Sequence, residues 1–115
     1  RYEGFEDLLI RQKEAVGTRI ALMEEENAVT YEQLYDMVMK RTDVLKESKK
    51  TCIGILCDTT IDCIVEIFAA NLAGMQIVML EKNMLWDTLQ KLIPYGDVDM
   101  VYPENEQMQD GFPKV

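Results

Sequence analysis

The sequence contains no histidine. Histidine is the commonest general base, so its absence excludes most Ser-His and Cys-His arrangements and removes the usual transition-metal ligands. The six glycines, at positions 4, 17, 54, 74, 96 and 111, are never closer than 13 positions, which excludes a glycine-rich phosphate loop. The familiar routes of catalysis are therefore closed to this chain.

Long apolar runs and basic clusters are also missing. The longest apolar stretches, such as residues 77–80, fall far short of the ~20 residues that span a bilayer, and no charged start precedes an apolar signal core. The sequence has 12 basic and 21 acidic residues, which gives a net charge of −9. The basic residues form no stripe that could neutralise a nucleic-acid phosphate backbone. We therefore expect a cytoplasmic protein that binds neither membranes nor nucleic acid.

Cysteine is scarce. Cys52, Cys57 and Cys63 are odd in number and lack the C-x-x-C spacing that zinc sites and redox pairs use. Because all three cysteines lie within apolar segments of the sequence, we interpret them as buried free thiols. The chain also begins at Arg rather than Met, so we treat it as a possible fragment of a longer protein.

The composition that remains is that of an ordinary globular protein, with 48% hydrophobic and 29% charged residues. A length of 115 residues predicts a single compact unit over residues 1–115. Residues 104–115 are polar and contain Gly and Pro, and we expect them to form a flexible tail.

Hydrophobic periodicity predicts helices at residues 5–16, 61–72 and 84–93, and a further helix from residue 31 to about residue 46 or 48. Apolar runs predict strands at residues 18–23, 28–29, 51–57, 76–80 and 99–102, the first two as a small hairpin. The nearly continuous apolar strands on either side of the third helix indicate a β-α-β unit with both faces of its strands covered. The fold class is thus α/β: a mostly parallel sheet flanked by helices, with a small N-terminal β-hairpin.

Residues 30–34 (TYEQL) and 72–80 (LAGMQIVML) carry two motifs that, in this order, resemble the opening motifs of the adenylate-forming superfamily. This superfamily includes acyl-CoA synthetases, peptide-synthetase adenylation domains and luciferases. The motifs are similar to its T-Y-x-x-L and L-x-A-G-x-x-x-V-P-L, and residues 53–56 resemble its V-A-I-L strand. The departures are Met79 for the usual proline, Glu81 for the usual Asp, and the lack of Gly-Asp in residues 47–50, and they leave the acid substrate open.

The resemblance covers roughly residues 5–102 and implies part of the large N-terminal domain of an AMP-forming acid-thiol ligase. Such an enzyme converts a carboxylate and ATP to an acyl-adenylate and then passes the acyl group to a thiol, such as CoA or a carrier-protein pantetheine. ATP and Mg are expected for the full-length parent, and the partner of this chain is the remainder of that parent. Thr30, Gln33, Leu34 and Gly74 are expected to serve the scaffold, as a helix cap, a core residue and a helix stop.

We assign no catalytic, cofactor-binding or metal residue to this chain. The acidic residues 24–26 are interpreted as a solvated turn. Residues 58–60 follow a central strand, at the edge of the sheet where α/β proteins bind ligands, so they could contact a ligand. Capping of the next helix explains these polar residues equally well. We interpret several large apolar side chains as residues that fill the core and surface grooves: Trp86, Tyr31, Tyr35 and the eight methionines.

Two alternatives stay open. The chain could be a standalone, non-catalytic α/β interaction module that pairs with another chain through a sheet edge or a helix face. The second alternative is a receiver-like signalling domain. Such a domain needs an acidic cluster at the strand ends, and although Asp58 follows a strand, no paired acidic residues end an earlier strand, so the site would be incomplete. If the ligase hypothesis holds, some apolar surface should be exposed where the rest of the enzyme would pack.

Overall fold

The computed structural model describes residues 5–56, 58–92 and 97–103. Its helices are α1 (Phe5–Val16), α2 (Tyr31–Ser48), α3 (Ile61–Leu72) and α4 (Trp86–Leu92). Its strands are β1 (Ile20–Glu24), β2 (Asn27–Thr30), β3 (Cys52–Leu56), β4 (Gln76–Leu80) and β5 (Met100–Tyr102). This order confirms the α/β class, the hairpin and the β-α-β unit. Cys57 and the predicted tail at residues 104–115 lie outside the described residues.

The strands form two separate sheets. β1 and β2 are an antiparallel hairpin, whereas β4, β3 and β5 lie side by side in that order, with both outer strands parallel to β3. The register pairs Cys52 with Gln76 and Leu56 with Leu80. Since paired residues point to the same face of a sheet, alternate residues of β3 face opposite helical layers.

Each face of the sheet carries its own hydrophobic core. The cluster on the α2–α3 face includes Ile53 and Ile55 of β3 and the buried side chains of both helices. The cluster on the α4 face comprises Cys52, Leu80, Leu89, Val98 and Val101. The molecule therefore has three layers, with the sheet in the middle.

The expectation that both apolar strands would be fully covered holds for β3 and is wrong for β4. Four of the five residues of β3 are buried, but in β4 only Leu80 is, and Met79 is 51% exposed. The cause is position: β3 has a neighbour on each side, whereas β4 lies at the edge of the described sheet.

Local sequence signals determine how α2 begins and ends. The Gln33 N–H donates to the Thr30 hydroxyl at 3.1 Å, and the Thr30 N–H donates to the Gln33 side chain at 3.0 Å, which confirms the capping box. At the other end Lys49 adopts a left-handed conformation, with φ of 59°. This is a conformation that glycine adopts more easily.

Helix α3 begins at Thr60, whose hydroxyl accepts the Cys63 N–H at 3.1 Å. It ends in a Schellman motif, in which the Met75 N–H donates to the Ala70 carbonyl and the Gly74 N–H to the Asn71 carbonyl. Gly74 has φ of 77°, which confirms its role as the helix stop. In the part of the chain that the structure describes, no helix is long and apolar enough to cross a membrane.

Candidate functional site

Two depressions meet at Tyr102. A cleft of about 260 Å³ lies at the carboxyl ends of the parallel strands, and its lining includes Glu24, Asp58, Asp62 and Lys82. We call it the carboxyl-edge cleft. A groove of about 380 Å³ lies between α2 and α3, and its lining includes Met37, Arg41, Val44, Val65 and Glu66. We call it the helix groove.

The carboxyl-edge cleft lies where α/β sheets bind ligands, and several polar groups in its lining are already paired. Asp58 forms an ion pair with Lys82, with 3.3 Å between the carboxylate oxygen and Nζ. The Glu24 carboxylate accepts the Ile61 N–H at 2.7 Å, at the first turn of α3. The N-terminus of α3 is therefore already occupied by Thr60 and Glu24, the positions an anionic ligand would take.

Glu24 departs from the interpretation of residues 24–26 as a solvated turn. Glu25 and Glu26 are exposed. Glu24 is half-buried, and its carboxylate accepts a hydrogen bond from Ile61 of α3, which lies 37 residues away in sequence. A carboxylate is favoured at this place because the helix dipole and the unsatisfied N–H groups attract negative charge. Only the tertiary arrangement of hairpin and α3 brings the two together.

ATP and Mg, which the resemblance implies for a parent enzyme, do not fit this cleft. It presents the carboxylates of Glu24, Asp58 and Asp62 against the single ammonium group of Lys82. A triphosphate would meet negative charge and a helix N-terminus that is already satisfied. The described residues also contain no group of three or more Cys, Asp or Glu side chains arranged to hold a metal ion.

A bidentate ion pair beside the helix groove joins α2 to α3. Arg41 Nε lies 2.6 Å from Glu66 Oε1, and Nη2 lies 2.9 Å from Oε2. The Glu66 side chain is 2% exposed and that of Arg41 31%. The Arg41 guanidinium also stands 6.0 Å from the centre of the Tyr102 ring. This arrangement holds the two helices together.

The spacing of apolar residues in α2 predicts a buried stripe of Leu34, Met37, Val38, Arg41, Val44 and Leu45, and this prediction does not include Glu66 as a partner of Arg41. The buried side chains of α2 are Leu34, Val38, Thr42 and Leu45. Thr42 fits that stripe because its hydroxyl donates to the Val38 carbonyl at 2.7 Å, and Val44 is exposed instead. The sequence does carry a signal for this ion pair. An arginine lies on the apolar face of one helix and a glutamate on the apolar face of another, and such residues are seldom buried unless they pair with each other.

The titratable groups with shifted pKa values are held in their neutral forms. Burial raises the pKa of Tyr102 above its usual value, and the carboxylates of Asp62 and Glu66 raise it further. The positive charge of Arg41 acts in the opposite direction and lowers this pKa. Burial, followed by Asp99 and Asp97, likewise raises the pKa of the Cys52 thiol. A nucleophilic cysteine needs the opposite shift. Cys52 and Cys63 are both buried, as expected from the sequence.

The aromatic and methionine side chains mostly support the cores. Tyr35 packs against the α2–α3 cluster, and Lys13 Nζ lies 4.5 Å from the centre of its ring. Met75 is buried, whereas Met23 and Met79 are exposed. Tyr31 is half-buried, and the side chain of Trp86 lies outside the described residues.

No protein-family model matches the chain, and no curated protein matches its sequence. Solved structures do match its fold. VinN aligns with 96% of this chain at 22% identity and a TM-score of 0.79. The N-terminal subdomain of Klebsiella oxytoca NpsA, in complex with anthranilyl-AMSN, aligns with 88% at 14% identity and a TM-score of 0.76.

A third match is o-succinylbenzoate CoA synthetase (MenE) from Bacillus subtilis, in complex with the acyl-adenylate intermediate OSB-AMP. It aligns with 93% of this chain at 16% identity and a TM-score of 0.72. The chain spans only 29% of VinN, 27% of the NpsA subdomain and 30% of the synthetase. The chain therefore has the fold of part of the N-terminal domain of adenylate-forming enzymes, as its two sequence motifs indicated.

Proposed function

We propose that this chain is the N-terminal scaffold of an AMP-forming acid-thiol ligase and carries no catalytic residue itself. The observation that carries the proposal is the match of 96% of this chain to 29% of a longer protein. In the reaction, a carboxylate attacks the α-phosphorus of ATP, pyrophosphate leaves, and an acyl-adenylate forms. A thiol then takes the acyl group and releases AMP.

The surface of the chain supports a role as scaffold. The carboxyl-edge cleft does not fit a triphosphate, so the sites for ATP, Mg and thiol are assigned to the remainder of the parent chain. Val44, Met79 and Leu85 are large apolar side chains that remain exposed. Burial against the remainder would stabilise the assembly by ~25 cal/mol per Å² of apolar surface. A cytoplasmic location belongs to the same proposal and stays a prediction.

The test compares residues 1–115 with a version extended through the reading frame that follows residue 115. Both are assayed for exchange of labelled pyrophosphate into ATP with a panel of carboxylic acids. We expect Mg-dependent exchange with the extended protein and none with residues 1–115. Absence of exchange by a folded, extended protein with every acid would overturn the proposal, as would exchange by residues 1–115 alone.

A second candidate function is a standalone interaction module, favoured by the exposed edge strand β4. A stop codon soon after residue 115 would favour this module over the ligase scaffold. In that case no pyrophosphate exchange should occur under any condition, and the partner should bind at the edge of the sheet.

A further inference from the structure

We draw no further inference here: the strongest candidate, the helix groove between α2 and α3 with the exposed side chain of Val44 on its wall, is an unpartnered apolar depression, and nothing in the described part of the structure shows what covers it.

Discussion

The two faces of the sheet are covered very unequally. On one face lie α2 and α3, with 18 and 12 residues, whereas on the other lies α4 with seven. Of the described residues, 11 are buried in the cluster on the α2–α3 face and five in the cluster on the α4 face. The difference indicates that the α2–α3 face carries most of the stability, and that the α4 face is a thin cover.

The largest expected effect comes from breaking the ion pair on the thick face. Arg41→Ala leaves the buried Glu66 carboxylate without its bidentate partner, which should lower the free energy of unfolding by about 3–5 kcal/mol. Glu66→Ala should cost less, because the Arg41 side chain reaches solvent. Urea denaturation measures both, and the double variant Arg41→Met/Glu66→Leu should recover most of the loss. A cost below about 1 kcal/mol for Arg41→Ala would show that the pair is not buried as described.

A matched pair of leucines compares the faces directly. Leu45 in α2 and Leu89 in α4 are both 1% exposed. Leu45→Ala should cost about 4 kcal/mol, because the surrounding helices cannot collapse into the cavity, and Leu89→Ala about 2 kcal/mol, because a short helix can shift or open locally. Urea denaturation of both variants gives the ratio. Equal costs would contradict the view of the α4 face as a thin cover.

Helix ends show that even the thick face is not fully optimised. Lys49, after α2, and Gly74, after α3, both have positive φ. Gly74→Ala should cost about 1 kcal/mol through backbone strain alone, because an added Cβ would meet no atom within 4 Å. Lys49→Gly should stabilise the fold by up to about 1 kcal/mol. Thermal denaturation can test both, and stabilisation by Gly74→Ala would refute the assigned left-handed conformation.

Alkaline pH should weaken both faces, but at different points. The pKa of Cys52, on the α4 face, is raised above 9.0, and that of Tyr102 above 10.0. A raised pKa in the folded state means that the stabilising contribution is complete below the unfolded pKa and is lost as pH rises through the folded value. Cys52→Ala should therefore flatten the loss of stability above about pH 9, and Tyr102→Phe the loss above about pH 10. Unfolding free energies measured from pH 8 upward should diverge accordingly, and identical profiles for all three proteins would contradict the assignment.

Local chemistry accounts for what the sequence could predict. The capping box of Thr30 and Gln33, the Gly74 stop and the β-α-β unit all depend on residues close together in the chain, and each was predicted correctly. The bond from Ile61 to Glu24 spans 37 residues and the Arg41–Glu66 pair spans 25, so both depend on how helices and hairpin pack. The exposure of Met79 depends on which strands are neighbours, which periodicity does not encode.

The central claim is that this chain supplies a scaffold and no nucleotide site. Isothermal titration of residues 1–115 with Mg-ATP tests it most directly. The account predicts no saturable heat, because the carboxyl-edge cleft repels phosphate and the N-terminus of α3 is already capped. Saturable binding with one ATP per chain would contradict it and would show that a nucleotide site exists within these residues.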